Sequence, residues 1–373
     1  MRLGVNALRL SGQRLGVGRY IEYMLGYWDS MLARGDRVVV YVREPVSIAH
    51  LGLSAAFEFK VLASSAKGVF WENFVLPRHS RETDVLFCPS YTVPLAYRGR
   101  TVVATHSVNE AQGGTHSWWY SLTYSQRYRL SARKADAVVV PSGSTRRHVH
   151  DLYGVSEDKI AVIPQGVDDS FRPLEDEALL RETRKRYLGE DCPYILFVGK
   201  LSQRRNIPAL IEAFGIVKRR ERIPHRLLLF GPNVSGIPLE TLAAEHGVRD
   251  SVVQTDGKLD SHRDIIPVYS AADVFVHPSA YEGFSLTIVE AMACGRPVVT
   301  VNRGAAKEIV DSAALTVEEP SVSELAAALG RVLTDSDLKR SLGAKALARA
   351  KSFRYEDTAR HTLKILRRVA ENG

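Results

Sequence analysis

Cysteine is scarce in this chain of 373 residues, which limits how the fold can be held together. The three cysteines, Cys88, Cys192 and Cys294, are odd in number and far apart. They therefore form neither a disulfide framework nor a zinc-ligand spacing. Free cysteine is among the most buried residue types, so we expect all three to be small core residues.

Long apolar runs are also missing. No stretch reaches the roughly 18 residues that a membrane-spanning helix requires. The first ten residues resemble a strand more than a signal peptide. We therefore expect a cytoplasmic protein, and peripheral contact with an anionic membrane at its inner face stays open as an alternative.

Signatures of several functional classes are absent. The net charge is +8, yet no zinc finger, RNA-binding aromatic motif or helix-turn-helix pattern accompanies it, so no nucleic-acid partner is expected. The chain has no Gly-x-x-x-x-Gly-Lys-Ser/Thr loop and no Ser/His/Asp motif. Its Asp-x-Asp triplet, Asp335 to Asp337, is better explained as a helix cap. We therefore predict no catalytic metal and no cofactor besides the substrate.

The positive charge is concentrated in the first half of the chain. Residues 1–168 hold 20 Lys/Arg and 14 Asp/Glu, whereas residues 169–373 hold 30 and 28. A basic half can attract anionic lipid or a phosphorylated substrate.

Short buried apolar runs alternate with segments of helical spacing along the whole chain. This βαβ pattern predicts an α/β protein with parallel sheets covered on both faces. In the first half, strands are predicted at 3–8, 37–42, 84–88, 101–105 and 137–141, and helices at 20–33 and 118–135. In the second half, strands are predicted at 194–198, 226–230, 252–255, 274–277 and 297–301, and helices at 208–218, 239–246, 287–293 and 323–333.

The charged stretch 171–191 interrupts the strand pattern, and we interpret it as a linker followed by a helix. Two Rossmann-like domains are therefore predicted, at 1–170 and 171–352, with a last amphipathic helix at 353–373. Ligands of such sheets bind at the carboxyl ends of the strands. Three motifs lie at those ends.

The most specific motif contains two glutamates around a strand-to-helix turn. Glu282 precedes a helix that begins near Leu286, and Glu290 lies inside that helix in an otherwise apolar stretch. The N–H groups of a helix start bind anions such as a diphosphate. Carboxylates accept hydrogen bonds from sugar hydroxyls. The pattern predicts binding of a nucleotide sugar, although two solvated glutamates would produce the same spacing.

Two further motifs follow the first strand of each half. Gly199 is followed by three cations, Lys200, Arg204 and Arg205, which could neutralise a diphosphate leaving group or form a solvated basic loop. Gly16 and Gly18 could let the backbone approach a phosphate, or could form a plain turn, since the third glycine of a dinucleotide fingerprint is missing.

The run from Glu282 through Glu290 to Val298 resembles the family 4 retaining glycosyltransferases of the GT-B fold. The resemblance covers nearly the whole chain. It implies two Rossmann-like domains whose sheets face each other across a cleft, with the first domain binding the acceptor and the last helix crossing back to it. It also implies metal-independent, retaining transfer of a hexose from a nucleotide diphosphate sugar to a glycan or lipid-linked acceptor.

The resemblance also assigns roles to residues. Glu282 would contact the donor sugar and Glu290 the ribose, and Arg205 would stand where the family usually has Lys, with Arg204 or Lys200 as its partner. His106 would lie beside the anomeric carbon, although Ser107 replaces the Asp that often follows. The residues implied to contact the donor through backbone or nearby groups are Gly16, Gly18, Gly199, Gly283, Phe284, Ser285 and Leu286.

The identity of the substrates stays open at this point. The Gly-Val-Gly-Arg-Tyr form favours GDP-mannose over UDP-sugars by a small margin. Aromatic residues precede cations in one segment, which could contact a membrane surface, line a sugar pocket or pack in the core. These residues are Trp118, Trp119, Tyr120, Tyr124, Arg127, Arg129, Arg133 and Lys134. A nucleotide-sugar epimerase and a non-catalytic binder are the alternative functions.

Overall fold

The computed structural model describes residues 1–11, 16–66, 68–108 and 118–371, and among these the side chains of 118–123 are outside the description. The chain divides into two compact units. The first unit contains Met1–Gly166 and Tyr355–Gly373, and the second unit contains Val167–Arg354.

The first unit is built on a parallel sheet of seven strands in the order β3-β2-β1-β4-β5-β6-β7. Its central strands are continuous apolar runs, as a sheet covered on both faces requires. The strands are β1 (Arg2–Asn6), β2 (Arg37–Val42), β3 (Phe57–Val61), β4 (Val85–Cys88), β5 (Thr101–Ala104), β6 (Ala137–Val140) and β7 (Ile160–Val162). The helices are α1 (Gly16–Asp29), α2 (Leu76–His79), α3 (Trp118–Lys134) and α4 (Gly143–Tyr153), joined by α13 (Tyr355–Glu371).

Helix α13 belongs to the first unit although it is the last element of the chain. Its residues Ala359, Leu363 and Leu366 are buried in the same core as Leu25 and Trp28 of α1. The indole Nε1 of Trp28 donates a hydrogen bond of 2.9 Å to the carbonyl of Ala359. Burying a leucine side chain contributes about 1.5–3 kcal/mol, so this face stabilises the first unit.

The second unit is built on a parallel sheet of six strands in the order β10-β9-β8-β11-β12-β13. The strands are β8 (Tyr194–Val198), β9 (Arg226–Phe230), β10 (Val252–Thr255), β11 (Val274–His277), β12 (Val298–Val301) and β13 (Leu315–Val317). The helices are α5 (Glu177–Leu188), α6 (Ile207–Glu221), α7 (Leu239–Glu245), α8 (Ile266–Ser270), α9 (Leu286–Ala293), α10 (Gly304–Val310), α11 (Val322–Thr334) and α12 (Ser336–Ala350).

The α/β class and the two parallel sheets predicted from the sequence are confirmed. The prediction that Asp335 caps a helix is confirmed too, since its carboxylate accepts from the N–H groups of Asp337 and Leu338 at the start of α12. No helix among the described residues is both long enough and apolar enough to cross a bilayer.

Three strands and four helices, α2, α4, α8 and α10, were not predicted, and helix α1 has other bounds than predicted. The strands β3, β7 and β13 were not predicted, because each is an edge strand with exposed or half-buried positions, and two have only three residues. Helix α1 begins at Gly16, so both predicted loop glycines, Gly16 and Gly18, lie in its first turns. Cys88 and Cys294 are buried as expected, whereas Cys192 is only half-buried.

Candidate active site

Polar residues of the second unit collect at the carboxyl ends of its central strands. The strand order of this sheet reverses between β8 and β11, and open parallel sheets bind ligands where the order reverses. The basic segment 199–205 follows β8, and the segment 278–285 follows β11. The fold therefore brings the predicted basic and acidic motifs of this unit together.

The carboxylate of Glu282 is surrounded by three nitrogen groups. Its Oε1 lies 3.2 Å from Nη1 of Arg204, 3.5 Å from Nε of Arg205 and 3.6 Å from Nε2 of His277. The guanidinium of Arg204 also donates to the carbonyl of Tyr281, which fixes the segment that carries Glu282. The structure thus groups both arginines with Glu282.

This environment keeps Glu282 ionised. Burial by itself would raise the pKa of the Glu282 carboxyl, but His277 and the charges of Arg205 and Arg204 outweigh burial and lower the pKa to about 2. Burial lowers the pKa of His277, and the neighbouring Glu282 only partly opposes that. A neutral imidazole therefore lies beside an anionic carboxylate.

Two buried atoms of this cluster lack a hydrogen bond. Among the described residues, Oε1 of Glu282 has ion-pair contacts but no partner of hydrogen-bonding geometry, and Nη1 of Arg205 has no hydrogen-bond partner either. Buried polar atoms without partners are uncommon, because leaving one unsatisfied costs about 1–3 kcal/mol. A carboxylate oxygen and a guanidinium N–H, both unsatisfied, are suited to a ligand that carries hydroxyl and phosphate groups.

Gly199 makes room for Arg205. Its backbone has φ of +134°, a conformation that side chains rarely adopt. A Cβ built at Gly199 would lie 1.7 Å from Nη1 of Arg205, so any larger residue would displace the guanidinium. Gly231, which follows β9, makes room for the backbone of Gly199 in the same way. A Cβ built at Gly231 would lie 2.2 Å from the Gly199 carbonyl oxygen.

The first turn of α9, within the motif that contains both glutamates, lies beside this cluster. Ser285 is the N-cap residue, but its hydroxyl does not cap the helix; it lies 3.3 Å from Nε2 of His277. The opening N–H groups of a helix have no partner within the helix, so the segment from Gly283 through Leu286 can offer donors to an anion. Phe284 packs edge-on against Phe353, with ring centroids 6.0 Å apart.

Glu290 is buried and held by two aromatic side chains. The hydroxyl of Tyr269 donates to its Oε2 at 2.7 Å, and Nε2 of His262 lies 3.1 Å from its Oε1. Glu290 is therefore buried within its apolar stretch and is not a solvated side chain.

The remaining cation of the basic motif lies apart from the cluster. Lys200 is exposed, and within the described ranges the structure records no ion pair that joins it to Glu282. Of the two partners that the sequence left open for Arg205, the geometry therefore favours Arg204.

Sequence reasoning missed three residues of this site, His262, Tyr269 and His277. The polar His277 at the end of the apolar strand β11 is a signal that could have been used. Tyr269 and His262 meet Glu290 only through tertiary packing, across 21 residues in the case of Tyr269. No local sequence pattern predicts such contacts.

His106 lies in the first unit, after β5, where the sequence placed it. Its Nε2 is 2.8 Å from the carbonyl oxygen of Pro89, and its Nδ1 is 2.7 Å from Nε2 of Gln165. The carbonyl requires a donor, so Nε2 carries the proton and Nδ1 accepts from the amide. Burial lowers the pKa of His106, in agreement with this neutral form.

The two glycines predicted to contact the donor, Gly16 and Gly18, take no part in the hydrogen bonds of His106. Gly18 is buried and Gly16 is exposed, and residues 12–15 before them lie outside the described part of the chain. The side chains of Trp118, Trp119 and Tyr120 are outside it as well. Tyr124 is described, and the guanidinium of Arg127 lies 5.6 Å from its ring centroid.

Two protein-family models match the chain in succession. The model for Glycosyltransferase Family 4 matches residues 15–171, and the model for Glycosyl transferases group 1 matches residues 181–349. The chain belongs to the family 4 glycosyltransferases. The sequence resemblance is thus confirmed at the level of the family, and both motifs of the second unit lie within the matched range.

Curated relatives agree with this family. The chain is 28% identical over 233 residues to O-antigen chain mannosyltransferase B of Escherichia coli, a match that covers 62% of this chain and 61% of the relative. It is 30% identical over 278 residues to D-inositol 3-phosphate glycosyltransferase of Nocardia farcinica, covering 72% and 60%. The matches therefore span about three fifths of the length of these relatives.

Solved structures show the same fold. The Anabaena protein Alr3699/HepE, solved in complex with UDP-glucose, superposes with a TM-score of 0.78 at 18% identity, covering 98% of this chain and 99% of that chain. This similarity identifies the family 4 chain as a GT-B protein with two Rossmann-like domains.

Proposed function

We propose that this family 4 chain transfers a hexose from a nucleotide diphosphate sugar to a glycan or lipid-linked acceptor, without a metal ion and with retention of configuration. The observation that supports this most is the pair of unsatisfied buried atoms, Oε1 of Glu282 and Nη1 of Arg205. A hydrogen-bond acceptor for hydroxyls and a cationic donor for phosphate lie side by side there, as a nucleotide sugar requires.

In this proposal the donor is held by the second unit. Glu282 binds hydroxyls of the sugar, and Glu290, fixed by Tyr269 and His262, binds the ribose. Arg204, Arg205 and the first turn of α9 neutralise the diphosphate as negative charge develops on it. The cations already lie within ion-pair distance of Glu282, so little reorganisation is needed when the donor binds.

The proposal also gives residues of the first unit a part in binding the donor. His106, held by Pro89 and Gln165, would contact the transferred sugar, and Gly16 and Gly18 would approach the phosphates from the start of α1. No carboxylate or imidazole is assigned as a nucleophile. The leaving diphosphate itself therefore takes the proton of the acceptor hydroxyl, which attacks from the face that the diphosphate leaves.

Two classes of nucleotide sugar are supported as the donor by the similar proteins. A relative named as a mannosyltransferase favours GDP-mannose, whereas the similar fold solved with UDP-glucose favours UDP-sugars. We place GDP-mannose first.

A thermal-shift panel tests the donor site. The protein is heated in EDTA with UDP, GDP, ADP and their sugar conjugates; a ligand at 100 times its dissociation constant stabilises by about 2.7 kcal/mol. We expect one nucleotide to stabilise the native chain and to lose its effect in Arg205→Ala and Glu290→Gln. Arg249→Ala, a change in an exposed ion pair of the same unit, is the matched control.

The outcomes separate the alternative functions. No shift with any nucleotide in a folded sample contradicts the proposal. Conversion of the donor to its epimer without an acceptor would identify an epimerase, and binding without turnover towards any acceptor would identify a binder. A requirement for added metal would contradict the metal-free mechanism.

A further inference from the structure

His277 is a buried ionisable residue to which no role in the transfer has yet been assigned. It is the last residue of β11, and its side chain is 1% exposed. Its imidazole packs nearly parallel to the rings of Phe197 and Phe275, with centroids 6.2 Å and 6.1 Å away. These aromatic contacts hold the ring, so each of its nitrogens points in a fixed direction.

The nitrogen Nε2 of His277 lies beside the proposed position of the diphosphate. It is 3.3 Å from the hydroxyl oxygen of Ser285, the N-cap residue of α9, and 3.6 Å from Oε1 of Glu282. A lone pair directed at the carboxylate would be repelled, so Nε2 carries the proton of the neutral ring. A diphosphate at the first turn of α9 would therefore act on this imidazole at close range.

The other nitrogen, Nδ1, is the atom that can accept a proton. Because the proton of the neutral ring is on Nε2, Nδ1 holds a lone pair. Nδ1 is buried and has no hydrogen-bond partner among the described residues. Burial lowers the pKa of His277 more than the neighbouring Glu282 raises it, so the neutral form is favoured.

Charged groups face His277 from two segments of the described chain. The segment after β8 contributes the guanidinium groups of Arg204 and Arg205, and the segment after β11 contributes the carboxylate of Glu282. Helix α9 and strand β12 contribute hydroxyl groups, such as that of Thr300, which donates at 2.9 Å to the carbonyl oxygen of His277. Two arginines and one glutamate give this cluster a single net positive charge.

A bound diphosphate reverses the sign of this charge. In a nucleotide sugar each of the two phosphates carries one negative charge near neutral pH. These charges exceed the single positive charge of the cluster and leave one negative charge unbalanced in a buried site. An unbalanced buried charge is unfavourable, and a nearby negative charge favours the ionised form of an imidazole. His277 can therefore supply the missing positive charge.

We propose that His277 takes up a proton from solvent when the diphosphate of the donor binds, so that nucleotide binding is coupled to ionisation of this imidazole. The proton adds to Nδ1, and no bond of the nucleotide forms or breaks. The inference rests on the proposed function, because it requires a diphosphate at the first turn of α9. It extends that function by making His277 the group that balances the charge of the diphosphate.

The sign of the pH dependence follows from this coupling. Diphosphate raises the pKa of His277 above its value in the protein alone. Between these two pKa values binding takes up a proton, so the affinity for the nucleotide falls as the pH rises. Above the higher value His277 stays neutral in both states, and the affinity no longer depends on its ionisation.

Isothermal titration of the full chain with GDP-mannose and UDP-glucose, in EDTA, measures the proton uptake. Each titration is repeated at one pH in buffers of different ionisation enthalpy, and the slope of the observed enthalpy gives the number of protons taken up. The phosphates of these probes have no ionisation near neutral pH, so the protons enter the protein. We expect uptake of about half a proton, and an affinity about fivefold lower at pH 7.5 than at pH 6.

His277→Gln tests whether this residue takes up the proton. Glutamine keeps an N–H donor near the position of Nε2 but does not ionise. We expect the variant to lose the proton uptake and the fivefold pH dependence, and to bind like the native chain at high pH. The other histidines are present in both proteins, so the difference reports His277 alone.

His225→Gln is the matched control. His225 is another histidine of the second unit whose pKa is lowered by burial. It precedes β9, whereas His277 ends β11, so the two lie at opposite edges of the same parallel sheet. This variant should keep the proton uptake of the native chain. Circular dichroism shows whether each variant is folded, and His277→Asn serves if His277→Gln is not.

Nitrogen NMR of the native chain with ¹⁵N-labelled histidine gives a second readout. The Nδ1 signal of His277, identified by its absence in the variant, should move from the position of an unprotonated nitrogen towards that of a protonated one when the nucleotide sugar is added. A merely structural role of His277 would leave this signal at its position.

Three results would overturn the inference. These are nucleotide binding without proton uptake, equal uptake in the native chain and in His277→Gln, and an Nδ1 signal that stays unprotonated in the complex. Loss of uptake in His225→Gln as well would show that the proton is not located at His277. Binding without uptake rejects this inference alone, whereas no binding of either nucleotide sugar rejects the proposed function and the inference with it.

Discussion

At the scale of single residues, the second unit concentrates its unusual electrostatics around Glu282. The carboxylate is largely buried, yet two guanidinium groups and a neutral imidazole keep it charged. Glu290 is different, because Tyr269 and His262 hold it through hydrogen bonds rather than through a strong cation. The two glutamates of one motif therefore depend on different physical interactions.

The charge of Glu282 makes the stability of the second unit depend on pH. The pKa is about 2 in the folded protein against an ordinary value of 4.5. Such a group stabilises the fold above pH 4.5, and this contribution disappears as the pH falls towards 2. We expect the free energy of unfolding to fall by about 3 kcal/mol more in the native chain than in Glu282→Gln over this range.

Denaturant unfolding at several pH values measures this difference. Glu240→Gln, which changes an exposed carboxylate of the same unit, should keep the acid dependence of the native chain. A parallel decline in the native chain and in Glu282→Gln would contradict the assigned ion pairs.

The contact between Tyr269 and Glu290 gives a second prediction. Tyr269→Phe removes the hydroxyl that donates to Oε2 of Glu290 and leaves a buried carboxylate short of one donor. We expect a loss of about 1–3 kcal/mol of stability and weaker nucleotide binding. Tyr187→Phe, a half-buried tyrosine of the same unit, is the control. Unchanged nucleotide affinity in Tyr269→Phe would show that Glu290 needs no support from Tyr269.

At the scale of elements, the strand-to-loop junctions of the second sheet decide where the cations stand. The backbones of Gly199, Gly231 and Gly257 approach one another so closely that no side chain fits between them. Strand β8 can therefore end in a tight turn that places the side chain of Arg205 back over the strand. The segment after β11 completes the cluster because β8 and β11 are neighbours in the sheet.

Gly199→Ala tests this junction. The added methyl group collides with Arg205, so we expect nucleotide affinity to fall by about tenfold or more, through loss of a charge-assisted contact. Gly189→Ala is a close control, since its φ is +82° but no atom lies within 4 Å of the added Cβ. Both variants should lose about 1 kcal/mol of stability through backbone strain. Equal nucleotide affinity in both would contradict the role of Gly199 in placing Arg205.

At the scale of the whole molecule, the chain folds as two units, and the first unit is completed by its final helix. The aliphatic face of α13 lies in the core formed by β1, β4 and α1, so residues more than 300 positions apart depend on each other. The stability of the first unit therefore requires a segment that follows the second unit along the chain.

Leu366→Ala should act on the first unit alone. Leu366 is fully buried, and truncating a buried leucine costs about 2–5 kcal/mol. We expect faster amide hydrogen exchange in β1, β4 and β5, with β8, β9 and β11 unchanged. Lys364→Ala, on the exposed face of the same helix, should leave both units as they are. Equal acceleration in both units would mean that they unfold together.

The sequence by itself determined the α/β class, the central strands and the two motifs of the second unit. Continuous apolar runs such as 194–198 or 227–230 identify buried parallel strands, and their order along the chain places Glu282 and Arg205 at strand ends. These signals are local, so they can be read without knowledge of the fold. Edge strands such as β3 carry half-exposed side chains and lack such a signal.

Tertiary structure decided which of the candidate side chains meet. It paired Arg204 rather than Lys200 with Arg205 and Glu282, and it brought His277, Tyr269 and His262 to the glutamates. It also opened a groove beside Glu72, whose walls come from three separate segments. These contacts depend on strand order and on packing between distant residues, which a linear pattern does not encode.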